Sequence, residues 1–152
     1  LYEDDLNNLW IGQNNGMAYI ELGYPFTFIN EQAGLPGTGY AAFLDGEDLY
    51  LGTNTGLYKR SLTEQRFTLI GNTRGQVYHI GRYGNDLLMG HHTGAYRIEN
   101  RTATRISAEP GSWIFLPFGN AKEKLIEGTY NGLQAYSKQG NDHWVFRQKI
   151  TG

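Results

Sequence analysis

Four ungapped windows of nine residues constrain this chain more than anything else in it. They are Leu9-Trp10-Ile11-Gly12-Gln13-Asn14-Asn15-Gly16-Met17, Leu49-Tyr50-Leu51-Gly52-Thr53-Asn54-Thr55-Gly56-Leu57, Leu87-Leu88-Met89-Gly90-His91-His92-Thr93-Gly94-Ala95 and Leu125-Ile126-Glu127-Gly128-Thr129-Tyr130-Asn131-Gly132-Leu133. Gly12, Gly52, Gly90 and Gly128 stand 40, 38 and 38 residues apart, and Gly16, Gly56, Gly94 and Gly132 keep the same spacing. Each window reads as a hairpin: a short apolar strand, a polar turn closed by glycine, then a second strand such as Leu57-Tyr58-Lys59-Arg60 or Ala95-Tyr96-Arg97-Ile98. The closing glycine supplies the positive φ that such turns need. Asn15-Gly16 and Asn131-Gly132 are strong turn signals, and Thr55-Gly56 and Thr93-Gly94 occupy the same place, so one turn type is expected throughout.

Strand-like segments flank every hairpin. Tyr40-Ala41-Ala42-Phe43-Leu44, Val77-Tyr78-His79-Ile80 and Trp113-Ile114-Phe115-Leu116 precede the last three windows. Phe26-Thr27-Phe28-Ile29, Arg66-Phe67-Thr68-Leu69-Ile70, Ala103-Thr104-Arg105-Ile106 and Trp144-Val145-Phe146-Arg147 follow the four in turn. The first unit keeps only Leu1-Tyr2-Glu3 of its opening strand. Four antiparallel strands per roughly 38 residues, with no helical periodicity between them, is the sequence form of a propeller blade. The expected fold is therefore all-β: a β-propeller of about four four-stranded blades, over residues 1–34, 35–72, 73–110 and 111–152, forming a partial, open ring. At 152 residues one domain should account for the whole chain. The 21 glycines and the 14% aromatic content suit many tight turns and aromatic strands, and with only 4 prolines the chain is not of disordered composition.

Thirteen basic and 15 acidic residues are scattered along the chain, for a net charge of -2, so no nucleic-acid partner is expected. The absence of cysteine removes disulfides, thiolate catalysis and cysteine metal sites, and leaves the compartment open. No apolar stretch approaches the roughly 18 residues of a membrane helix, and the segment itself is expected to be soluble.

The string Asp4-x-x-x-Asn8-Leu9-Trp10-Ile11-Gly12-x-x-x-Gly16, repeated as Gly46-x-x-Leu49-Tyr50-Leu51-Gly52-x-x-x-Gly56-Leu57, resembles the two-component regulator propeller repeat, which runs roughly Asp-x-x-Gly-x-Leu-Trp-Ile-Gly-Thr-x-x-Gly-Leu. The resemblance covers all four units, is closest in the first two, and weakens in the fourth, where Glu127 replaces an apolar residue. It implies the periplasmic sensor region of bacterial hybrid two-component regulators, notably those of polysaccharide use in gut Bacteroidetes. There the propellers precede a triple-tyrosine β-sandwich, a membrane helix and a kinase or helix-turn-helix output region, none of which lies in this chain.

The residues themselves offer little catalytic chemistry. His91-His92 lies in a hairpin turn, where neighbouring side chains are expected to diverge and no cysteine or carboxylate stands at ligand spacing. Gly34-Leu35-Pro36-Gly37-Thr38-Gly39 lacks the Lys-Ser/Thr of a phosphate loop and opens a strand, so it reads as a connection between blades. Glu3-Asp4-Asp5 reads as solvated turn chemistry rather than a calcium site. Asn100-Arg101-Thr102 is a formal glycosylation sequon, without meaning in a bacterial host. Glu127 breaks the apolar rule at its place and is expected to be exposed. No catalytic residue, metal or cofactor is expected.

Binding is better sought beside Tyr40, Tyr78 and Trp113. Each stands six positions before Gly46, Gly84 or Gly119, just after a loop that enters an inner strand (35–39, 72–76 and 110–112). Such loops rim the channel face where propellers bind ligands, and these rings, with Arg74 nearby, suit stacking on sugar rings. The competing reading is that the rings only fill space between blades. The expected function is a ligand-sensing, signal-transmitting propeller segment responding to oligosaccharides, periplasmic as part of a membrane-anchored regulator. The alternative is a non-enzymatic protein-interaction scaffold, which leaves a cytoplasmic location open. A lyase or glycosidase would need carboxylates or histidines converging from several blades, and the inner strands offer only His79. The partners expected are an oligosaccharide, the rest of the propeller, the downstream signalling domains and a second copy of the segment, since open terminal blades expose apolar faces.

Overall fold

The closing glycines adopt the backbone the repeat demands. In a computed structural model of the chain, Gly16, Gly56, Gly94 and Gly132 have φ of 135°, 152°, 136° and 118°. Residues 1–23, 27–119, 124–140 and 143–150 are described. Blade 1 consists of β1 (Tyr2–Glu3), β2 (Asn8–Gln13) and β3 (Gly16–Glu21). Blade 2 follows with β4 (Gly39–Asp45), β5 (Asp48–Thr53), β6 (Leu57–Ser61) and β7 (Thr68–Leu69). Blade 3 is β8 (Val77–Tyr83), β9 (Asp86–His91), β10 (Gly94–Glu99) and β11 (Thr102–Ser107). Blade 4 is β12 (Ile114–Phe118), β13 (Lys124–Thr129), β14 (Gly132–Gln139) and β15 (His143–Ile150). Every pairing within a blade is an antiparallel meander, and the hairpin register repeats: Gly12 faces Met17, Gly52 faces Leu57, Gly90 faces Ala95 and Gly128 faces Leu133. The fold is all-β, a partial and open β-propeller.

The core lies between blades. Tyr50, Leu57 and Ile70 of blade 2 and its exit pack on Val77, Ile80, Leu87, Met89 and Ile98 of blade 3. On its other face blade 3 presents Leu88 and Ala95 to Phe115, Leu125, Tyr136 and Trp144 of blade 4. Because successive strand residues point to opposite faces, β9 can serve both interfaces, Leu87 and Met89 one way and Leu88 the other. All six of its residues are buried. The inner strands β4, β8 and β12 contact one another in turn. Gly90 is what lets them close: a Cβ there would come within 2.5 Å of the Ser112 carbonyl oxygen at the start of the next blade.

One expected strand does not form among the described residues. Of Phe26-Thr27-Phe28-Ile29, Phe26 lies outside the described residues, and Thr27, Phe28 and Ile29 are not in a strand. The chain instead runs into a single 3-10 turn, Glu31–Ala33, capped by the Asn30 side chain and ended by Gly34 at φ 82°. This connector docks on blade 2: the Phe67 amide donates to the Ala33 carbonyl at 2.8 Å, and Ile29, Ala33 and Leu35 pack with Tyr58 and Phe67. Gly34 to Gly39 form a connection into β4, with Pro36 O accepting from Thr55 Oγ1 at 3.1 Å.

Candidate functional site

In an antiparallel meander the turn between the second and third strands lies at the end where the first strand begins. The hairpin turns therefore meet the loops entering the inner strands. The meeting is hydrogen-bonded at the same turn position in three blades: Asn54 N donates to Thr38 O, His92 N to Gln76 O and Tyr130 N to Pro110 O, at 3.0, 3.0 and 3.3 Å. In blades 2 to 4 the residue after the first glycine caps the turn. Thr53 Oγ1 and Thr129 Oγ1 accept from the amides of Thr55 and Asn131, and His91 Nδ1 accepts from Thr93 N.

On this platform four aromatic rings form a strip. Tyr78 stacks on Trp113, with ring centroids 4.2 Å apart and planes 16° from parallel. Tyr40 meets Tyr78 edge-on at 5.9 Å, and Tyr130 meets Trp113 edge-on at 5.8 Å. The Tyr78 hydroxyl donates to Gln76 Oε1 at 2.5 Å, so it accepts from the Tyr130 hydroxyl 2.6 Å away. Burial, the Tyr130 hydroxyl and the neighbouring phenols push the Tyr78 phenol up to about 12, and it stays protonated at any physiological pH. Tyr40, Trp113 and Tyr130 each remain about half exposed. The strip offers flat apolar faces, and hydroxyl, indole and amide groups at its rim.

Tyr40, Tyr78 and Trp113 thus come together, whereas Arg74 does not join them. It borders a separate cleft with Leu69, Ile70, Gly71 and Asn72, and its carbonyl accepts from His91 Nε2 at 3.2 Å. Tyr130 was missed by sequence reasoning. The signal was there, a ring at the turn position where Asn54 and His92 stand, but only the meander's geometry says that this turn faces the inner loops.

Glu127 is wholly buried, contrary to the sequence expectation. It stands opposite Gln134 across β13 and β14, on the face of blade 4 that meets blade 3, where its aligned partner Met89 is also buried. The Tyr136 hydroxyl donates to Glu127 Oε2 at 2.5 Å, while Glu127 Oε1 and the neighbouring Ser112 Oγ are buried without a well-formed hydrogen bond. Burial raises the Glu127 pKa; the Ser112 and Tyr136 hydroxyls pull it down and the Glu109 carboxylate raises it again. A tyrosine across the strand pair makes the acid tolerable, a compensation that a linear pattern does not display.

The histidines are engaged structurally. The His91 and His92 rings lie 4.2 Å apart instead of diverging. His91 bonds Thr93 Oγ1 and Arg74 O, and His92 Nδ1 accepts from Gln76 N. Burial and the neighbouring His92 hold His91 down at about 4, against the Arg74 carbonyl, so it is neutral at pH 7. Tyr83 OH donates to Phe115 O, so it accepts from His79 Nε2–H, which fixes the tautomer of His79. Asp86, Glu99 and His143 bring one donor atom each within 4.8 Å of one another, the one such group among the described residues. Both Asp86 oxygens already accept, one from His143 Nδ1 at 2.7 Å and one from Trp144 N at 2.8 Å, and Arg97 pairs with Glu99 at 2.9 Å. The group therefore works as a polar clamp between blades 3 and 4. Asp4 provides the turn chemistry expected of it and more: its carboxylate accepts from Leu6 N, Asn8 N, the Asn8 side chain and Trp10 Nε1. The Trp10 indole N–H and the Asn8 amide hold its pKa down at about 2.

No family model and no curated protein matches the chain. Among solved structures it is similar to the N-terminal domain of Nup159, a β-propeller, with a TM-score of 0.54 and 14% identity over 87% of this chain. The match spans 35% of that chain, and at this identity it speaks for the fold alone.

Proposed function

We propose that this chain is a non-catalytic binding segment of a propeller and that the strip of Tyr40, Tyr78, Trp113 and Tyr130 receives an oligosaccharide. The single observation that carries this reading is the clustering of four rings from three blades, three of them half exposed, where the inner loops and hairpin turns meet. Sugar rings present C–H faces to aromatic surfaces and hydroxyls to the polar groups beside them. The resemblance of Asp4-x-x-x-Asn8-Leu9-Trp10-Ile11-Gly12 to the two-component regulator propeller repeat supports a sensor role in a periplasmic, membrane-anchored regulator. Exposed apolar side chains on the open faces of the terminal blades, among them Ile20, Leu116 and Leu133, are where further blades or a second copy would pack.

Calorimetry against a panel of neutral oligosaccharides tests the reading. Saturable heat that is lost in Trp113→Ala and retained in Phe28→Ala, a change at an exposed residue outside the strip, is the expected result. A panel giving no saturable heat overturns it in favour of a protein-interaction scaffold. That second reading is favoured by the same strip, because tyrosine and tryptophan dominate protein-binding hot spots.

A further inference from the structure

At the opposite end of the blades from the aromatic strip, blades 2 and 3 leave a cleft of about 270 Å³ between them. Tyr50, Lys59, Arg82, Asn85, Asn100 and Arg101 line it over an apolar base that includes Ile70 and Leu87. Three cations from three elements converge there, Lys59 from β6, Arg82 from β8 and Arg101 from the turn between β10 and β11. Two of them have carboxylate partners. Lys59 Nζ lies 2.6 Å from Asp48, and the Arg82 guanidinium bonds both oxygens of Asp45 and, at 3.0 Å, the Asn85 carbonyl. Arg101 has none among the described residues; its guanidinium donates to the Thr68 hydroxyl. Asp48 and Asp45 pair with Lys59 and Arg82, and the Asp86 carboxylate also acts on Arg82, whereas Arg101 is the cation of the three without a carboxylate partner, and its charge works against that of Lys59.

The backbone shows that Arg101 is held there at a cost. Asn100 and Arg101 have φ of 47° and 64°, a left-handed pair without glycine. Arginine rarely takes that conformation, and it persists only where surrounding bonds fix it. Here Gly71 N donates to Arg101 O and Ala103 N donates to Gly71 O, both at 2.9 Å, tying the turn of blade 3 to the exit of blade 2. The Asn85 and Asn100 side-chain amides make no hydrogen bond to protein among the described residues and border the same space. A water-accessible cleft with one guanidinium that has no carboxylate partner, a lysine and two idle amide donors is complementary to an oxyanion, which accepts from a guanidinium fork through two oxygens at once.

We propose that this cleft is an oxyanion-binding site, in which Arg101 and Lys59 pair with a phosphate, sulfate or carboxylate group that the Asn85 and Asn100 amides orient. Its volume lies below the ~300 Å³ at which drug-sized pockets begin, so the occupant is an inorganic oxyanion or a single acidic sugar ring. The site is separate from the aromatic strip and stands or falls independently of it.

The test is titration calorimetry of the intact chain with inorganic phosphate, inorganic sulfate and glucuronate, at low chloride. The expected result is saturable binding of at least one, with the three arms separating an inorganic anion from a sugar acid. Arg101→Gly removes the guanidinium while suiting the left-handed backbone, so the variant should fold at least as well as the parent; it is expected to weaken binding at least tenfold. Arg105→Gln, on the exposed side of β11, is expected to bind like the parent. Absence of saturation with all three anions at millimolar concentration overturns the proposal, and so does parental affinity in Arg101→Gly. An equal loss in Arg105→Gln would also overturn it, since it would mean diffuse charge rather than a site.

Discussion

Blades 1 and 3 carry the same nine-residue window in the same hairpin register, yet they are different objects physically. In blade 3 every residue of β9 is buried, and Gly90 sits so close to Ser112 that no side chain fits. In blade 1 no residue of β3 is fully buried, and a Cβ on Gly12 would meet nothing within 4 Å. Blade 3 has a neighbour on each face, and blade 1 is joined to blade 2 through a connector that covers blade 2 for it. What blade 1 has in place of packing is local chemistry, with Asp4 tying Leu6, Asn8 and Trp10 together and Trp10 resting against Tyr19 at 4.7 Å. A repeat motif thus specifies a hairpin, and the stability of that hairpin is set by what lies against its faces.

Ile20 and Ile98 make the sharpest contrast, because they occupy the same repeat position at 44% and 7% exposure. Ile98→Ala is expected to cost ~2–5 kcal/mol, as buried isoleucine truncations do, and Ile20→Ala less than about 0.5 kcal/mol. Urea unfolding of both variants measures this, and equal losses would break the comparison by showing that blade 1 is packed in solution.

The next effect is pH-dependent and belongs to blade 3 alone. His91 stands where blades 2 and 4 have Thr53 and Thr129, and its pKa is lowered from 6.5 to about 4 by burial. A histidine with a depressed pKa binds fewer protons folded than unfolded, so its contribution is complete above pH 6.5 and is lost as pH falls towards 4. That fall corresponds to roughly 3 kcal/mol at ~1.36 kcal/mol per pKa unit. His91→Thr supplies a turn-capping oxygen in place of His91 Nδ1 and is expected to flatten the pH 4–6.5 segment of the stability profile; an unchanged slope would assign it to another group.

The smallest effect is confined to blade 1. Asp4→Ala is expected to speed hydrogen exchange at the Leu6 and Asn8 amides, which donate to it, and to leave the global unfolding midpoint where it was. A shift of the midpoint would mean that blade 1 unfolds together with blades 2 to 4.

Legibility in the sequence followed the range of the interactions. The hairpins, their turn glycines and the positions of Tyr40, Tyr78 and Trp113 at the starts of the inner strands could be read directly, because φ requirements and the two-residue strand period act over a few neighbouring residues. Tyr130, Arg74 and Glu127 could not. Whether a turn residue joins a strip, whether an arginine two residues from a strand faces it, and whether an acid is buried all depend on strands that are distant in sequence. The docking of Ile29 on Tyr58 and Phe67 of blade 2, where a strand of blade 1 was expected, has the same origin, since it too depends on a neighbour distant in sequence.

The sequence by itself determined that this protein is a run of β-hairpins of one kind, closed by glycine and spaced as propeller blades. Only the tertiary structure decided that blades 2 to 4 share a core while blade 1 stands largely in water, that four rings rather than three form the strip, and that Arg101 lines a cleft at the far end. The physical reason is that turn and strand preferences are properties of adjacent residues, whereas burial and the meeting of charges exist only between blades.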